Sequence, residues 1–456
     1  MNNIPSVLVL PYPAQGHVNS FLNLSRKLAE HGFKVIFVNS EFNHRRVMAS
    51  WEESKDSLMG SNIEFVSISD GLGPEENRSD SAKLMSSIGK AMPAQLEKLI
   101  EDVICVNGNY SRIICIVADV HMGWALEIAC KLGIKRASLF TFAAAMFAIL
   151  CSVPRLIDDG IIDSNGTPIQ KRTFQLYPDM PIMHTDQIWW SNIGDLESQK
   201  VVFQHNKGFL QILNSTEWWL CNSTYELEPR PLSFLPKLIP IGPFMECSHG
   251  TRTLGQLWEE DLSCLGWLDQ QPPCSVIYVA FGSFTLFNSH QFKKLALGLE
   301  LSNRPFLWVV RSDVNSSTKI EYPDEFKGNL GKIVGWAPQK QVLSHPAIAC
   351  FISHCGWNST IEGLCNGVPF LCWPYFCDQF FNKHYICDEW KVGLGFDLDE
   401  EGIVSSEEIK KKVDQLLDDE NIRTRSVKLK EMLMSNIAEG TRTSENFKKF
   451  VKWLKE

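Results

Sequence analysis

A short apolar run, 6–10, leads into Pro11-Tyr12-Pro13-Ala14-Gln15-Gly16-His17, a turn that sets an imidazole at the start of the next segment. Histidine is the usual general base near neutral pH, and strand exits are where open α/β sheets place their chemistry. A helix-capping or solvated side chain is the other role open to His17. A base needs a partner that fixes its tautomer and balances the imidazolium. Asp119, the last residue of Ile113-Ile114-Cys115-Ile116-Val117-Ala118-Asp119, could be that carboxylate. It could equally cap a helix starting near Met122. Two rival chemistries lack their residues. No GxSxG elbow is present, although Phe281-Gly282-Ser283-Phe284 is half of one. No GxGxxG follows the first strand, where Pro13 and Gln15 replace the glycines that would admit a pyrophosphate, so a Rossmann oxidoreductase is disfavoured.

A denser constellation spans 336–379. Trp336-Ala337-Pro338-Gln339 opens it, and Trp373-Pro374-Tyr375-Phe376-Cys377-Asp378-Gln379 closes it. Between them, Ile352-Ser353-His354-Cys355-Gly356-Trp357-Asn358-Ser359-Thr360-Ile361-Glu362-Gly363 reads as a strand, a glycine turn and a helix. Backbone N–H groups at such a helix start, with the positive end of its dipole, make an anion site without a lysine. Glu362, one turn past Asn358 and Ser359, suits a ribose diol as acceptor of two hydroxyl hydrogen bonds. Taken alone, an ordinary strand-to-helix turn would look the same.

A third group is apolar. Phe140, Phe142, residues 143–145, Met146, Phe147 and Ile188-Trp189-Trp190 could line a pocket for a flavonoid, phenol or terpenoid. Helical spacing alone would also bury the alanine-rich segment as core. Trp189 and Trp190, in a loop flanked by Pro, Asp and Gly, are the better pocket candidates.

The elements that must carry these residues alternate between two periods. Residues 6–10 form a continuous apolar strand. Val18, Phe21, Leu22, Leu28 and Ala29 then share one helical face, Gly32 ends the helix, and 34–38 resumes as strand. Further strands are expected at 62–68, 112–117, 135–140 and 218–221, and a second series at 275–281, 306–310, 332–334, 347–353 and 369–373. Helices are expected at 291–301 and, finally, at 444–454. This is the α/β pattern of doubly wound parallel sheets. The polar, glycine-containing segment 247–255 is the linker candidate. It divides an amino-terminal domain, 1–246, from a second, 256–440, followed by a final segment, 441–456.

Bulk properties agree with an enzyme of this kind. At 456 residues the chain exceeds one ordinary core, and 44% hydrophobic with 21% charged residues is globular composition. A net charge of −9 argues against a nucleic-acid partner, whose backbone demands a basic face. No signal peptide or membrane span is expected. Fourteen cysteines without a CxxC pair read as reduced, buried thiols rather than a disulfide or zinc framework. A cytoplasmic monomer, without metal or cofactor, is the expectation. The sequons at Asn222 and Asn358 are then chance matches.

From Trp336 through Gln379 the chain resembles, without a gap, the carboxyl-terminal signature box of the plant family-1 UDP-dependent glycosyltransferases. The resemblance extends to Pro13-Ala14-Gln15-Gly16-His17, Leu28-Ala29-Glu30-His31-Gly32, Asp119, the run Cys221-Asn222-Ser223-Thr224-Tyr225-Glu226-Leu227-Glu228, and Phe281-Gly282-Ser283. It implies a GT-B fold: two facing Rossmann-like domains with an interdomain cleft, acceptor mainly on the first and donor on the second, and the final segment, 441–456, packing back onto the first. It implies that Trp336 stacks on uracil, that the Ala337 backbone and Gln339 hold base and ribose, and that Glu362 takes the ribose hydroxyls. His354, Asn358, Ser359 and Ser283 would meet the diphosphate, and Trp357, Asp378 and Gln379 the sugar. His17 would be general base and Asp119 its partner. The residues of the first half, read from their types, add Gly16, Phe142, Met146, Trp189 and Trp190 as candidates beside the acceptor. Glutamine at 379 and tryptophan at 357 resemble the members that prefer glucose. The implied reaction is inverting transfer from UDP-glucose, as co-substrate, to an aglycone hydroxyl. Many members have proline after His-Val-Asn where Ser20 stands; a serine there is compatible with helix.

Overall fold

Strands buried on both faces need no alternation, and Ser6–Leu10 (β1), buried at every residue, is such a strand. In the computed structural model, which describes residues 4–52, 62–106, 113–178, 180–244, 256–285, 287–311 and 322–456, β1 is followed by Lys34–Ser40 (β2), Ile63–Ile68 (β3), Ile113–Asp119 (β4) and Lys135–Phe140 (β5). Thr173–Phe174 (β6) and Met183–His184 (β7) pair as a small antiparallel ribbon. Trp218–Cys221 (β8) and Leu238–Pro240 (β9) complete a sheet of order β3-β2-β1-β4-β5-β8-β9, in which every neighbouring pair is parallel.

The second series is Val276–Ala280 (β10), Phe306–Val309 (β11), Gly331–Val334 (β12), Ile348–Ser353 (β13), Phe370–Cys372 (β14) and Gly393–Gly395 (β15). Its order, β12-β11-β10-β13-β14-β15, is again parallel throughout. In each sheet the order reverses beside the first strand, between β1 and β4 and between β10 and β13. Rossmann-like sheets bind ligands at this switch point, outside the carboxyl ends of the strands. The edge strands β9 and β15 lie outside the expected series. Three residues each are too few to show a period, so pairing with β8 and β14 is what makes them strands.

The chain divides into two compact units, Met1–Leu257 with Ser435–Glu456, and Trp258–Met434. The linker candidate 247–255 lies outside the described residues. In the first unit the helix Gln15–Glu30 packs Val18, Phe21, Leu22, Leu24 and Leu28 against Val7, Val9, Val35 and Phe37. It ends in a Schellman turn: Gly32 takes φ +86, its N–H donates to Ala29 O, and the N–H of Phe33 donates to Leu28 O. Phe33 and Leu28 join the same core. The last helix, Arg442–Lys455, is capped by Thr441, whose side chain accepts from the N–H of Ser444. It adds Phe447, Phe450, Val451 and Leu454 to that first core, and Asn446 donates to Pro240 O on β9 at 3.0 Å. The second unit has its own core, from Ile277 and Val279 on β10 to Cys350 and Ile352 on β13, with Leu295, Ile409 and Val413 from flanking helices.

Candidate active site

In the first unit, strand pairing does what sequence distance hides. β1 runs beside β4 with Leu10 opposite Ala118, and β4 beside β5 with Asp119 opposite Leu139. The residues just past these strand ends therefore converge. His17, in the first turn of the helix Gln15–Glu30, has Nδ1 2.7 Å from Asp119 Oδ2 and 2.9 Å from Thr141 Oγ1. Asp119 is fully buried while a fifth of the His17 side chain is exposed. Asp119 also performs its other candidate role: Oδ1 accepts from the N–H of His121 at 3.0 Å and so caps the turn Val120–Met122. Burial by itself would raise the Asp119 carboxyl. The charge and hydrogen bond of His17, with the charge and N–H of His121, outweigh it and hold the group below its ordinary range. An ionised Asp119 keeps the proton on Nδ1 of His17 and leaves Nε2 as the basic nitrogen.

Aromatic rings surround this pair. Tyr12 meets the His17 ring edge-on at 5.4 Å and His121 at 5.3 Å, and the His17 and His121 rings lie 5.6 Å apart. Phe142 and Trp189 both stand 6.2 Å from His121. Burial, with help from the charges of His17 and His205 and against that of Asp119, depresses His121 to about 3, so its ring is neutral. His205 donates from Nε2 to His121 O at 2.8 Å. Gly16 precedes His17 in the same helical turn. The helix Ala144–Cys151, including Met146, is buried from Ala144 to Leu150, as its spacing alone predicts. Residues 189–192 form a 3₁₀ turn in which both tryptophans are buried. Trp190 is 1% exposed, packs on Phe203 and donates its indole N–H to Gly166 O, while Trp189 faces the histidine cluster.

The sequence offered no sign of Thr141, His121, His205 or Tyr12, since a lone polar residue after a strand is common. The run 221–228 gains a physical meaning: Glu228, fully buried, accepts from the N–H groups of Ala144 and Ala145 and from Ser223 Oγ. It thereby pins the helix that follows Thr141 and Phe142.

In the second unit β10 pairs with β13, Ala280 opposite Ser353, which brings Gly282 beside His354, with Ser283 next in the same turn. A Cβ on Gly282 would stand 2.6 Å from His354 Nε2, and one on Gly356 2.5 Å from it. Both glycines are thus required by the imidazole between them. Gly282 and Cys355 take positive φ, +67 and +66. Gly356 begins the helix Trp357–Asn366 without a side-chain cap, so its first turn presents N–H groups that lack helical acceptors. Burial, first, and the charge of Arg311 depress His354 to about 4, against a hydrogen bond with Ala280; this ring too is neutral.

The remaining box residues fall around this loop. Gln339 Nε2 donates to Ser359 Oγ at 2.9 Å and to Glu362 Oε2 at 2.8 Å, while Tyr278 OH donates to Gln339 Oε1. Burial raises Glu362, countered in part by Lys340 and Gln339. Trp336 is half-buried and stacks on Trp258, centroids 4.7 Å apart at 28°, a partner the sequence did not mark; Ala337 beside it is buried. Asn358 is half-buried in the helix's first turn. Trp357 is buried with its ring toward Trp390. Gln379 Oε1 accepts from the N–H groups of Tyr375 and Phe376, and Asp378 Oδ2 accepts from Asn382.

Comparison with known proteins agrees with both halves. Residues 182–439 match the family model for UDP-glucoronosyl and UDP-glucosyl transferase, and residues 4–175 match that for a glycosyltransferase N-terminal domain. UDP-glycosyltransferase 83A1 of Arabidopsis thaliana is 45% identical, over 99% of this chain and 97% of its own. The 7-deoxyloganetin glucosyltransferase of Gardenia jasminoides is 32% identical, over 85% of each. Among solved structures, Os79 from O. sativa, in complex with UDP, superposes with TM-score 0.81 at 26% identity, covering 98% of this chain and 100% of that one. With two Rossmann-like sheets, a histidine–aspartate pair at the first switch point and the signature box around the second, the chain belongs to the plant family-1 UDP-glycosyltransferases, enzymes that move a glycosyl group from a UDP-sugar to a small acceptor.

Proposed function

We propose that this protein transfers glucose from UDP-glucose to a hydroxyl of a small apolar aglycone, of flavonoid, phenol or terpenoid type, with inversion to a β-glycoside. The observation that carries the reading is the 2.7 Å contact of His17 with buried Asp119 inside a ring of aromatic side chains. Nε2 of His17 takes the proton of the acceptor hydroxyl as its oxygen forms the bond to the anomeric carbon. The bond from that carbon to the diphosphate oxygen breaks, and its electron pair leaves with UDP. Asp119 holds the tautomer and balances the imidazolium. Trp336, Ala337, Gln339 and Glu362 hold uridine; Ser283, His354, Asn358, Ser359 and the helix start at Trp357 meet the diphosphate. His354, being neutral, serves as a hydrogen-bond donor rather than a charge. The helix dipole and these donors take the charge of the leaving group, so EDTA should leave turnover unchanged. Gln379 spends its carbonyl oxygen on the backbone of Tyr375 and Phe376, leaving its amide to donate to a sugar hydroxyl. The Gardenia relative, named a glucosyltransferase, supports the choice of sugar. Tyr12, Phe142 and Trp189 would flank the aglycone.

A cytoplasmic setting fits the described cysteines, which are free, and the sequon at 222–224, which is buried. Among the described residues no helix is long and apolar enough to cross a membrane. The test is UDP-glucose turnover over a mixed phenol and terpenoid panel, comparing wild type with His17→Ala. Product with at least one acceptor, lost in the variant, is expected. Equal turnover by both proteins would overturn the role of His17, and turnover only with another UDP-sugar would overturn glucose.

A further inference from the structure

The donor loop carries no cation of its own: residues 353–366 contain neither lysine nor arginine. The structure brings one from another strand. β11 lies beside β10 in register, Trp308 opposite Val279, so the chain leaving β11 draws level with the Gly282 turn. Arg311 is 7% exposed and directs Nη1 toward Gly282 O at 3.4 Å. Its guanidinium carbon sits 5.6 Å from the ring centroid of Trp258, and Trp258 is the ring stacked on Trp336. The N–H of Asp261 donates to Trp336 O at 2.9 Å, tying the same two segments together. One layered assembly, guanidinium over indole over indole, thus joins the diphosphate loop to the ring expected to carry uracil.

We propose that Arg311 and Trp258 are positioning residues of the donor site: Arg311 supplies the fixed positive charge that favours the diphosphate, and Trp258 backs the Trp336 platform under the base. This rests on the second unit binding UDP through the 336–379 box. A guanidinium keeps its charge when buried, where the pKa of a lysine ammonium shifts more readily and its charge is only partly retained. Charges act at longer reach in a partly desolvated site than in water. The Arg311 charge, after burial, is among the causes that depress His354, in line with its place beside the Gly282 turn. A uracil laid on Trp336 would extend the stack by one layer, and aromatic pairs of this kind add about 0.5–1.5 kcal/mol beyond buried area.

The two residues predict different signatures in the full-length protein. UDP is titrated by calorimetry and uridine, which lacks the diphosphate, by ligand NMR. Arg311→Met should weaken UDP by about 10-fold or more and leave uridine within about twofold, Arg311→Lys should recover part of the loss, and the salt dependence of UDP binding should flatten in the Met variant. Trp258→Leu should weaken UDP and uridine by the same factor. If Arg311→Met fails to fold, Arg311→Gln serves as the neutral variant. Unchanged UDP affinity in the neutral variant, or equal losses of UDP and uridine there, would overturn the charge role. Unchanged uridine affinity in Trp258→Leu would overturn the platform role. A wild-type protein that binds no UDP would instead overturn the donor-site reading beneath both.

Discussion

At the scale of single residues, Asp119 serves two elements at once. One oxygen caps the turn Val120–Met122 and the other takes His17, so capping does not exclude the role proposed for it beside His17. Asp119→Asn keeps the shape but removes the charge that fixes the tautomer. We expect kcat to fall by about 10²- to 10⁴-fold with the KM for UDP-glucose little changed, in steady-state kinetics; an equal rise in KM would point to collapse of the site. His121 carries a second prediction. Its folded pKa of about 3 lies below the ordinary value of about 6.5, so the unfolded chain binds a proton that the folded one refuses. Stability from this group is complete above pH ~6.5 and is lost as pH falls toward 3, by up to about 1.4 kcal/mol per pH unit. His121→Phe keeps a ring in place and removes that proton. Urea denaturation between pH 4 and 6.5 should give a slope shallower by about one proton; parallel slopes would show that His121 is not held neutral.

At the scale of elements, the strand–loop–helix from β13 to Trp357–Asn366 depends on glycine for space as much as for conformation. Gly356 has an ordinary φ of −61, so alanine meets no backbone penalty there. Its Cβ would nevertheless press on His354 Nε2. Gly356→Ala should therefore displace the imidazole and weaken UDP by about 10-fold or more in calorimetry, while far-UV circular dichroism stays as in wild type. Wild-type affinity would mean that His354 is not needed in its observed place. The helix and strand periods of β1, the helix Gln15–Glu30, β10 and β13 were legible because long apolar runs and a glycine terminator carry strong local signals. β9 and β15 were not, because three residues acquire strand character only from a neighbour. The burial of Trp190 was likewise not legible: turn-forming flanks carry no sign of the hydrogen bond to Gly166 or of the packing on Phe203 that enclose it.

At the scale of the molecule, each of the two parallel sheets has its own core, and the proposed function assigns the acceptor to the first and the donor to the second. UDP should stabilise the protein by about 2.7 kcal/mol at a hundredfold excess over Kd. In amide hydrogen exchange its protection should concentrate at 282–283, 336–339 and 354–362, with the helix start at 17 and the strand exits at 119 and 141 responding to a bound phenol instead. Protection by UDP centred on the first unit would reverse the assignment of donor and acceptor. What the sequence determined by itself is the fold class, the two series of strands, the box 336–379 and the candidacy of His17 and Asp119, because periodicity, turn residues and a long ungapped motif are properties of the chain. Tertiary structure alone decided that His17 and Asp119 touch across 102 positions, that Thr141, Tyr12 and His121 join them, that Trp190 packs on Phe203, and that Arg311 lies against Gly282 and Trp258 against Trp336. Those outcomes follow from which strands lie side by side at each switch point, and adjacency of parallel strands is set by long-range pairing that leaves no mark on the residues flanking each end.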